Sequence, residues 1–425
     1  MLDLKFIREN PEKVKEGIKN KNEKDTVDDI LALDEKRREF IVQVEELKAR
    51  KNETSQQIGA TKKAGGDASG VIAEMKRVGD MIADLDSQLG ETQHQLDQLL
   101  MWVPNLPADS TPVGFSAEEN VEVRKWEPDD FNSEKDFKPL DHIELGKKLD
   151  ILDFERGAKI SGSGFPVYKG NGATLERALI NFMLDYHLNH HNYKEVFVPF
   201  VVNRESMKGT GQIPKMEEDM YAAKDDDLYL IPTAEVPITN LHRAEVLNET
   251  ELPKYYVGYS ACFRREAGSY GKDSKGFLRV HQFNKVEMVK FVKPENSFDE
   301  LENLVSDAED ILKELKIPYR ILLLCSGDLS FSAAKCYDIE TWSPAENKWL
   351  EASSCSTFGE VQARRANIRF RREETKKLEF LHTLNGSGLA TSRLMVSILE
   401  NYQTPEGKIV VPKVLQKYTG FSIIE

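Results

Sequence analysis

Two heptad tracts separated by a glycine-rich break limit the fold of this chain more sharply than any other feature. From Ile30 the positions Leu33, Arg37, Phe40, Val44, Leu47, Lys51, Thr54 and Ile58 advance by alternating steps of three and four residues, the spacing of a single seam along a helix. After Gly65-Gly66-Asp67-Ala68-Ser69-Gly70 the seam resumes at Val71, Met75, Val78, Ile82, Leu85, Leu89, Thr92, Leu96 and Leu99. The intervening turn lets each helix bury its stripe on the other, which predicts an antiparallel coiled-coil hairpin. At ~1.5 Å per residue the arm is on the order of 45 Å long. Heptads alone also describe a dimerisation coil; the turn favours pairing within one chain. Lys36, Arg37, Arg38, Lys48, Arg50, Lys51, Lys62 and Lys63 stud the arm, interleaved with Glu45, Glu46 and Glu53, and offer phosphate contacts without showing which are used.

Trp102-Val103-Pro104-Asn105-Leu106-Pro107 ends the second helix, and the polar stretch through Asn120 reads as a linker. Two domains are expected, a helical one over 1–108 and a larger one over 109–425. In the latter, helical patterns cover 141–154, 173–190, 298–315 and 389–402. Strand patterns cover 195–200, 319–325, 337–342, 348–354 and 379–384, and Pro199 taken alone reads as an edge-strand proline. Hairpin-linked strands outnumber βαβ units, so the class is α+β with an antiparallel sheet. A Rossmann nucleotide fold is excluded, and no Walker sequence G-x-x-x-x-G-K-[ST] occurs.

With 40% hydrophobic residues the chain is globular, and no apolar run approaches the roughly 18 residues of a membrane span. Met1 to Asn10 contains acids and lacks the apolar core of a signal peptide, so a cytoplasmic location is expected. Cys262, Cys325, Cys336 and Cys355 show no C-x-x-C pairing and no zinc spacing, which predicts buried free thiols and no zinc. The net charge of −14 taken alone argues against a nucleic-acid partner, but global charge is a poor guide where basic residues cluster, and RNA binding stays open.

Tyr255 to Val292 carries the chemistry: YYVGYSACFRREAGSYGKDSKGFLRVHQFNKVEMVKFV, two strand-like runs around a loop rich in Gly, Lys and Ser. Period-two alternation puts Val257, Tyr259, Ala261 and Phe263 on one face and Arg264 and Glu266 on the other. In the second run Leu278, Val280, Val286 and Met288 line a core, whereas Arg279, His281, Phe283 and Glu287 point the opposite way. One face thus gathers guanidiniums, carboxylates and an aromatic ring, a set suited to a nucleoside triphosphate and a small zwitterion. Alternation by itself equally describes a hairpin with one wet, charged face.

The order of residues separates the two. Phe263-Arg264-Arg265-Glu266, the basic loop, then Arg279-Val280-His281-Gln282-Phe283 and Lys285-Val286-Glu287 resembles motif 2 of the class II aminoacyl-tRNA synthetases, in the form seen in seryl-tRNA synthetases of bacterial type. Asn385-Gly386-Ser387-Gly388-Leu389-Ala390-Thr391-Ser392-Arg393 resembles motif 3, and Thr233-Ala234-Glu235 the serine-binding loop. The helix at 173–190, the strand after it and Pro199 resemble motif 1, the homodimer element. The resemblance spans almost the whole chain, the helical arm included.

What the resemblance implies is specific. The carboxylate of serine attacks the α-phosphate of ATP in line, giving seryl-adenylate and pyrophosphate; no protein nucleophile is needed, and guanidiniums with Mg²⁺ spread the charge. Arg264 spans the α-phosphate and the serine carboxylate, its planar fork suiting paired acceptors. Glu266 reads the adenine amino group and Phe283 stacks on the base, with Arg393 on its other side or at the γ-phosphate. Arg265, Arg279 and Val280 complete the motif 2 contribution. Gly386 and Gly388 are expected where a helix starts, a favourable place for an anion. Glu351-Ala352-Ser353-Ser354 matches the ATP and metal segment, with Glu351 and Ser354 as oxygen ligands for Mg²⁺. Thr233, Ala234, Glu235, Glu287, Asn385 and Ser387 form the serine pocket, in which Glu235 and Glu287 divide the ammonium and the hydroxyl in an order the sequence leaves open. Thr-Ala-Glu is also an ordinary helix start. The implied partners are ATP, L-serine, serine tRNA and a second copy of the chain, with selenocysteine tRNA an open question and no membrane.

Overall fold

The computed structural model describes residues 1–129, 131–132, 135–266 and 276–425, so the Gly-, Lys- and Ser-rich loop between the two runs lies outside the described residues for most of its length. The chain divides into two compact units, Met1–Lys19 with Glu23–Pro104, and Asn20–Asn22 with Asn105–Glu425.

In the first unit the short helices α1 (Leu4–Glu9) and α2 (Pro11–Asn20) precede two long ones, α3 (Val27–Lys63) and α4 (Ser69–Met101). The seam is where the heptads place it. Ile30, Val44, Val78, Ile82, Thr92 and Leu96 are buried, and Leu33, Phe40, Leu47, Met75, Leu85 and Leu89 are half-buried. Lys51 and Val71, towards the tip, are exposed. Lys48 pairs with Asp86 at 3.3 Å, Arg37 reaches Gln93 at 3.4 Å and Arg50 pairs with Glu74, so early residues of α3 meet late residues of α4. Asp34, which the seam does not include, is fully buried and ion-paired to Arg8, Arg37 and Arg38 at 2.9, 2.9 and 3.1 Å.

The second unit is built on an eight-stranded sheet. Its strands are β1 (Val121–Trp126), β2 (Lys194–Glu195), β3 (Lys254–Phe263), β4 (Gln282–Val292), β5 (Tyr319–Leu323), β6 (Lys335–Ser343), β7 (Lys348–Thr357) and β8 (His382–Ala390). They lie in the order β1-β5-β6-β7-β8-β4-β3-β2, antiparallel throughout except for the β2–β3 edge, which is parallel. The fold is α+β. Around the sheet run α5 (His142–Lys148), α6 (Phe154–Ser161), α7 (Asn171–His190), α8 (Arg204–Thr210), α9 (Glu235–Thr239), α10 (Ser297–Glu314), α11 (Val361–Ala366) and α12 (Thr391–Asn401).

Five expectations need correction. The strand expected over 379–384 is split at Leu381 between two sheets, and the second run of 255–292 joins its ladder only from Gln282, Gly276–Leu278 forming a 3-10 turn. The helix expected over 141–154 stops at Lys148, because Asp150 takes φ 52° and Leu152–Asp153 pairs with Val167–Tyr168 before Asp153 caps α6. The strand expected over 195–200 keeps only its first residue as ladder, and the stretch leading to Pro199, which has no N–H to donate, stays irregular. The helix expected from Leu389 begins at Thr391, so Gly386 and Gly388 lie inside β8 rather than at a helix start.

The two faces of the sheet are buried by different partners. Val286, Met288 and Val292 of β4 enter a core with Leu175, Leu179 and Phe182 of α7, Leu301, Leu304 and Val305 of α10, and Leu394, Met395 and Ile398 of α12. On the opposite face Val289 and Phe291 pack with Ala234, Ile238, Ala363, Ile368 and Leu381. The four cysteines are buried and free. No helix of the described residues is long and apolar enough to cross a membrane.

The glycines of β8 answer to this packing. A Cβ at Gly388 would come within 2.7 Å of His187 Nε2 on α7, and one at Gly386 within 2.8 Å of Cys355 Sγ and 3.0 Å of Leu304. Gly388→Ala should therefore lower the unfolding free energy by about 1–3 kcal/mol through overpacking, read from urea denaturation. A variant as stable as the parent would mean that α7 yields at this point.

Candidate active site

Above β4, β7 and β8, on the face away from α7 and α10, the sheet floors a cleft of about 740 Å³. Its residues arrive by register. Glu287 stands opposite Ser387 of β8 and Gly258 of β3, while Phe283 and Lys285 stand opposite Cys262 and Ser260. Phe283, Lys285 and Glu287 therefore form one column pointing into the cleft, continued downward by the buried Val289 and Phe291.

Two buried acidic residues line the cleft. Glu287 is 1% exposed and forms an ion pair with Lys285, itself 6% exposed. Thr233 Oγ1 donates to Glu287 at 3.1 Å and accepts from the N–H of Glu235 at 3.2 Å. Thr233 Oγ1 thus ties the start of α9, whose N-cap residue is Ala234, to Glu287. Gln362 Nε2 donates to Glu235 at 2.6 Å. Burial, then the neighbouring Glu287 charge, pushes the Glu235 carboxyl up to about 7, against the pull of Gln362, Lys285 and Arg264.

Three guanidiniums line the same cleft. Arg264 sits over the Phe283 ring, 5.1 Å from its centroid, with Nε 3.4 Å from the Pro232 carbonyl. Its backbone is clamped to His281: Arg264 N–H donates to the His281 carbonyl at 2.9 Å, and the His281 ring nitrogen lies 2.9 Å from the Arg264 carbonyl. Arg279 Nε donates to Glu266 at 2.9 Å. Arg393, on the first turn of α12, donates to the Glu351 carbonyl at 2.9 Å.

Glu351 and Ser354 share β7, three residues apart. In a regular strand they would face opposite ways, but the β6–β7 register shifts between Ile339 and Glu340, leaving Ala352 as an extra residue. This bulge turns Glu351 and Ser354 to the same side. Asp338 stands opposite Ser354, and its carboxyl is raised well above the usual range by burial and by the nearby Glu351 charge. Ser353 instead donates to the Ser387 carbonyl at 2.7 Å.

Of the residues singled out in the sequence, Thr233, Glu235, Arg264, Glu266, Arg279, Val280, Phe283, Glu287, Glu351, Ala352, Ser353, Ser354, Asn385, Ser387 and Arg393 line the cleft. Ala234 and Arg265 do not. Ala234 is fully buried in the second core, and Arg265 turns to the Glu218 carbonyl at 3.2 Å. His281, expected on the polar face, stacks on Phe165 at 5.4 Å. Sequence reasoning missed Lys285, although its spacing from Phe283 and Glu287 would have found it, and it missed Asp338, read only as part of a strand. Among the described residues no three His, Cys, Asp or Glu side chains cluster as a metal site.

This arrangement of an antiparallel sheet with arginines over it, and no phosphate loop, is that of a class II aminoacyl-tRNA synthetase. Residues 216–402 match the tRNA synthetase class II core domain (G, H, P, S and T). The fold is also shared by a prolyl-tRNA synthetase of Giardia lamblia, at TM-score 0.56 over 64% of this chain and 54% of that one, with 16% identity. Residues 1–107 match the seryl-tRNA synthetase N-terminal domain. The serine–tRNA ligase of Chloroherpeton thalassium is 61% identical over 100% of both chains. The seryl-tRNA synthetase of Pyrococcus horikoshii, solved with ATP, is 39% identical at TM-score 0.94, covering 100% of this chain and 99% of that one. The chain belongs to the seryl-tRNA synthetase family.

The buried Lys285–Glu287 pair yields a sharp expectation. Lys285→Met should cost about 3–5 kcal/mol of folding stability, because it strands a buried carboxylate. Adding Glu287→Leu should recover most of that loss in urea denaturation. A single variant at parental stability would show that Glu287 does not depend on Lys285.

Proposed function

We propose that the chain activates L-serine with ATP and passes the seryl group to the 3′ end of serine tRNA, as an ATP-dependent serine–tRNA ligase. The observation that carries this reading is the make-up of one cleft: the guanidiniums of Arg264, Arg279 and Arg393 and the buried carboxyls of Glu235 and Glu287 line it together. A zwitterion laid between them offers its carboxylate to Arg264 and its ammonium to Glu235 and Glu287.

In the first half-reaction a serine carboxylate oxygen bonds to the α-phosphorus of ATP, the bond to the β,γ-pyrophosphate breaks, and pyrophosphate leaves. Arg264 draws the two anions together, and its contact with Phe283 fixes the guanidinium beside the ring on which adenine stacks. Glu266, held by Arg279, accepts from the adenine amino group. Arg393 lies on the far side of the base or at the γ-phosphate. In the second half-reaction a terminal ribose hydroxyl of the tRNA attacks the carbonyl carbon of the adenylate and AMP departs.

The side chains of β7 fit a magnesium ion. The bulge aims the oxygens of Glu351 and Ser354 into the cleft from one side, with Asp338 beside them, and hard oxygen donors suit that ion once phosphates complete its shell. Bound there, it would neutralise phosphate charge. Ser387, opposite Glu287, and Asn385, opposite Val289, are proposed to close the serine pocket. The arm of residues 1–108 is proposed to hold the tRNA, with 109–425 as the catalytic domain. The active form is proposed as a cytoplasmic homodimer, with selenocysteine tRNA a second candidate acceptor.

Serine-dependent exchange of pyrophosphate into ATP tests the site directly. Arg264→Ala should lower that exchange by about 100- to 1,000-fold, and Arg264→Lys should recover little, since an ammonium does not bridge two acceptors as a planar fork does. Exchange near the parental rate in Arg264→Ala would remove it from the reaction. Deleting Lys24 to Pro104 and joining the ends should spare exchange while abolishing aminoacylation of serine tRNA. If both activities persist, the arm is not the RNA-binding element.

A further inference from the structure

Against Glu235, and not itself lining the cleft, Gln362 on α11 is 1% exposed. Its amide is fully engaged. Nε2 donates to Glu235 at 2.6 Å and to the Thr210 carbonyl at 3.2 Å, and Oε1 accepts from Thr383 Oγ1 at 2.7 Å. A carbonyl can only accept, so the bond to Thr210 fixes which end of the amide is nitrogen, and that end is the one presented to Glu235. Thr210 ends α8 and Thr383 belongs to β8, so two separate elements lock the donor in place.

We infer that Gln362 is a positioning residue for the ammonium end of the amino acid, acting through the Glu235 carboxyl that it holds. The inference rests on Glu235 as an ammonium partner. A neutral donor at this point does two things. It removes rotamer freedom from a carboxyl that must meet a small ligand, and it stabilises the ionised carboxylate over the acid. The second effect matters because the groups facing Glu235 are mixed: Glu287 disfavours its charge, while Lys285 and Arg264 favour it. A glutamate here would set two carboxyls against each other, and an apolar side chain would offer nothing.

The sign of the pH effect follows. Loss of the donor makes Glu235 harder to ionise, so the pH at which the ammonium-binding form appears must rise. Serine-dependent pyrophosphate exchange, measured on the full-length protein from pH 6 to 9, tests this with Gln362→Met, Gln362→Glu and Glu235→Gln. Gln362→Met should raise the KM for serine roughly tenfold or more, the scale of a hydrogen bond to a charged group. It should leave the KM for ATP unchanged and move the rising limb of kcat/KM for serine to higher pH. Gln362→Glu keeps the size and the bond from Thr383, and should move the limb further; it decides the question if the methionine variant does not fold. An unmoved limb with an unchanged serine KM, or with equal rises for serine and ATP, overturns the inference. Glu235→Gln separates the two claims. An unaltered serine KM in that variant overturns the ammonium pocket itself, whereas a raised one beside unaffected Gln362 variants overturns only the role of Gln362.

Discussion

Strand β4 is buried along both faces, and everything about the site depends on keeping those faces apart. Val286, Met288 and Val292 pack into the core under α7, α10 and α12, while Phe283, Lys285 and Glu287 point the other way. A slip of one residue would exchange the columns and drive an ammonium and a carboxylate into the apolar core. Such a slip is opposed twice, because β4 is paired to β3 along ten residues and to β8 on its other edge. The register that fills the core is therefore the register that assembles the cleft.

Burying charge on that second face is costly unless each group has a partner. The cleft answers with a chain of partners rather than isolated pairs: Lys285 to Glu287, Thr233 to Glu287, Gln362 to Glu235. One residual mismatch remains in the raised Glu235 carboxyl. A ligand ammonium would relieve that mismatch, so the strain of two close carboxyls becomes affinity for a cation of the right size.

Much of this was legible in the sequence because it repeats with a simple period. The coiled-coil seam follows steps of three and four, and its apolar residues are buried or half-buried except Val71 towards the tip. The division of β4 follows a period of two. Motif order then supplied what period could not, naming Arg264, Phe283, Glu351 and Arg393 across four separate segments. Lys285 escaped despite lying on the right column, because a lysine on a polar face reads as solvated until a second layer is known to cover it. Arg265 came in with the motif 2 run, and its guanidinium turns to the Glu218 carbonyl. Gln362 has no local signal at all: its partners come from α8, α9 and β8, far apart in sequence.

Bulges are the deeper reason why the rest was hidden. The β4–β8 ladder slips between Lys285 and Glu287, and there Leu389, fully buried, takes φ 96°, a conformation unfavourable to a branched side chain. The β6–β7 ladder slips at Ala352. Each slip reverses the alternation of a strand at the cleft, so that Ser387 and Ala390, and likewise Glu351 and Ser354, share a face that strict period two would deny them. No pattern of apolar and polar letters announces such a residue, since Ala352 and Leu389 read as ordinary strand positions. The strain at Leu389 persists because β8 is held between β4 and β7 and its glycines are pressed against α7 and α10. Two irregular positions on the strands that floor the cleft thus bring Ser387 with Ala390, and Glu351 with Ser354, into its lining.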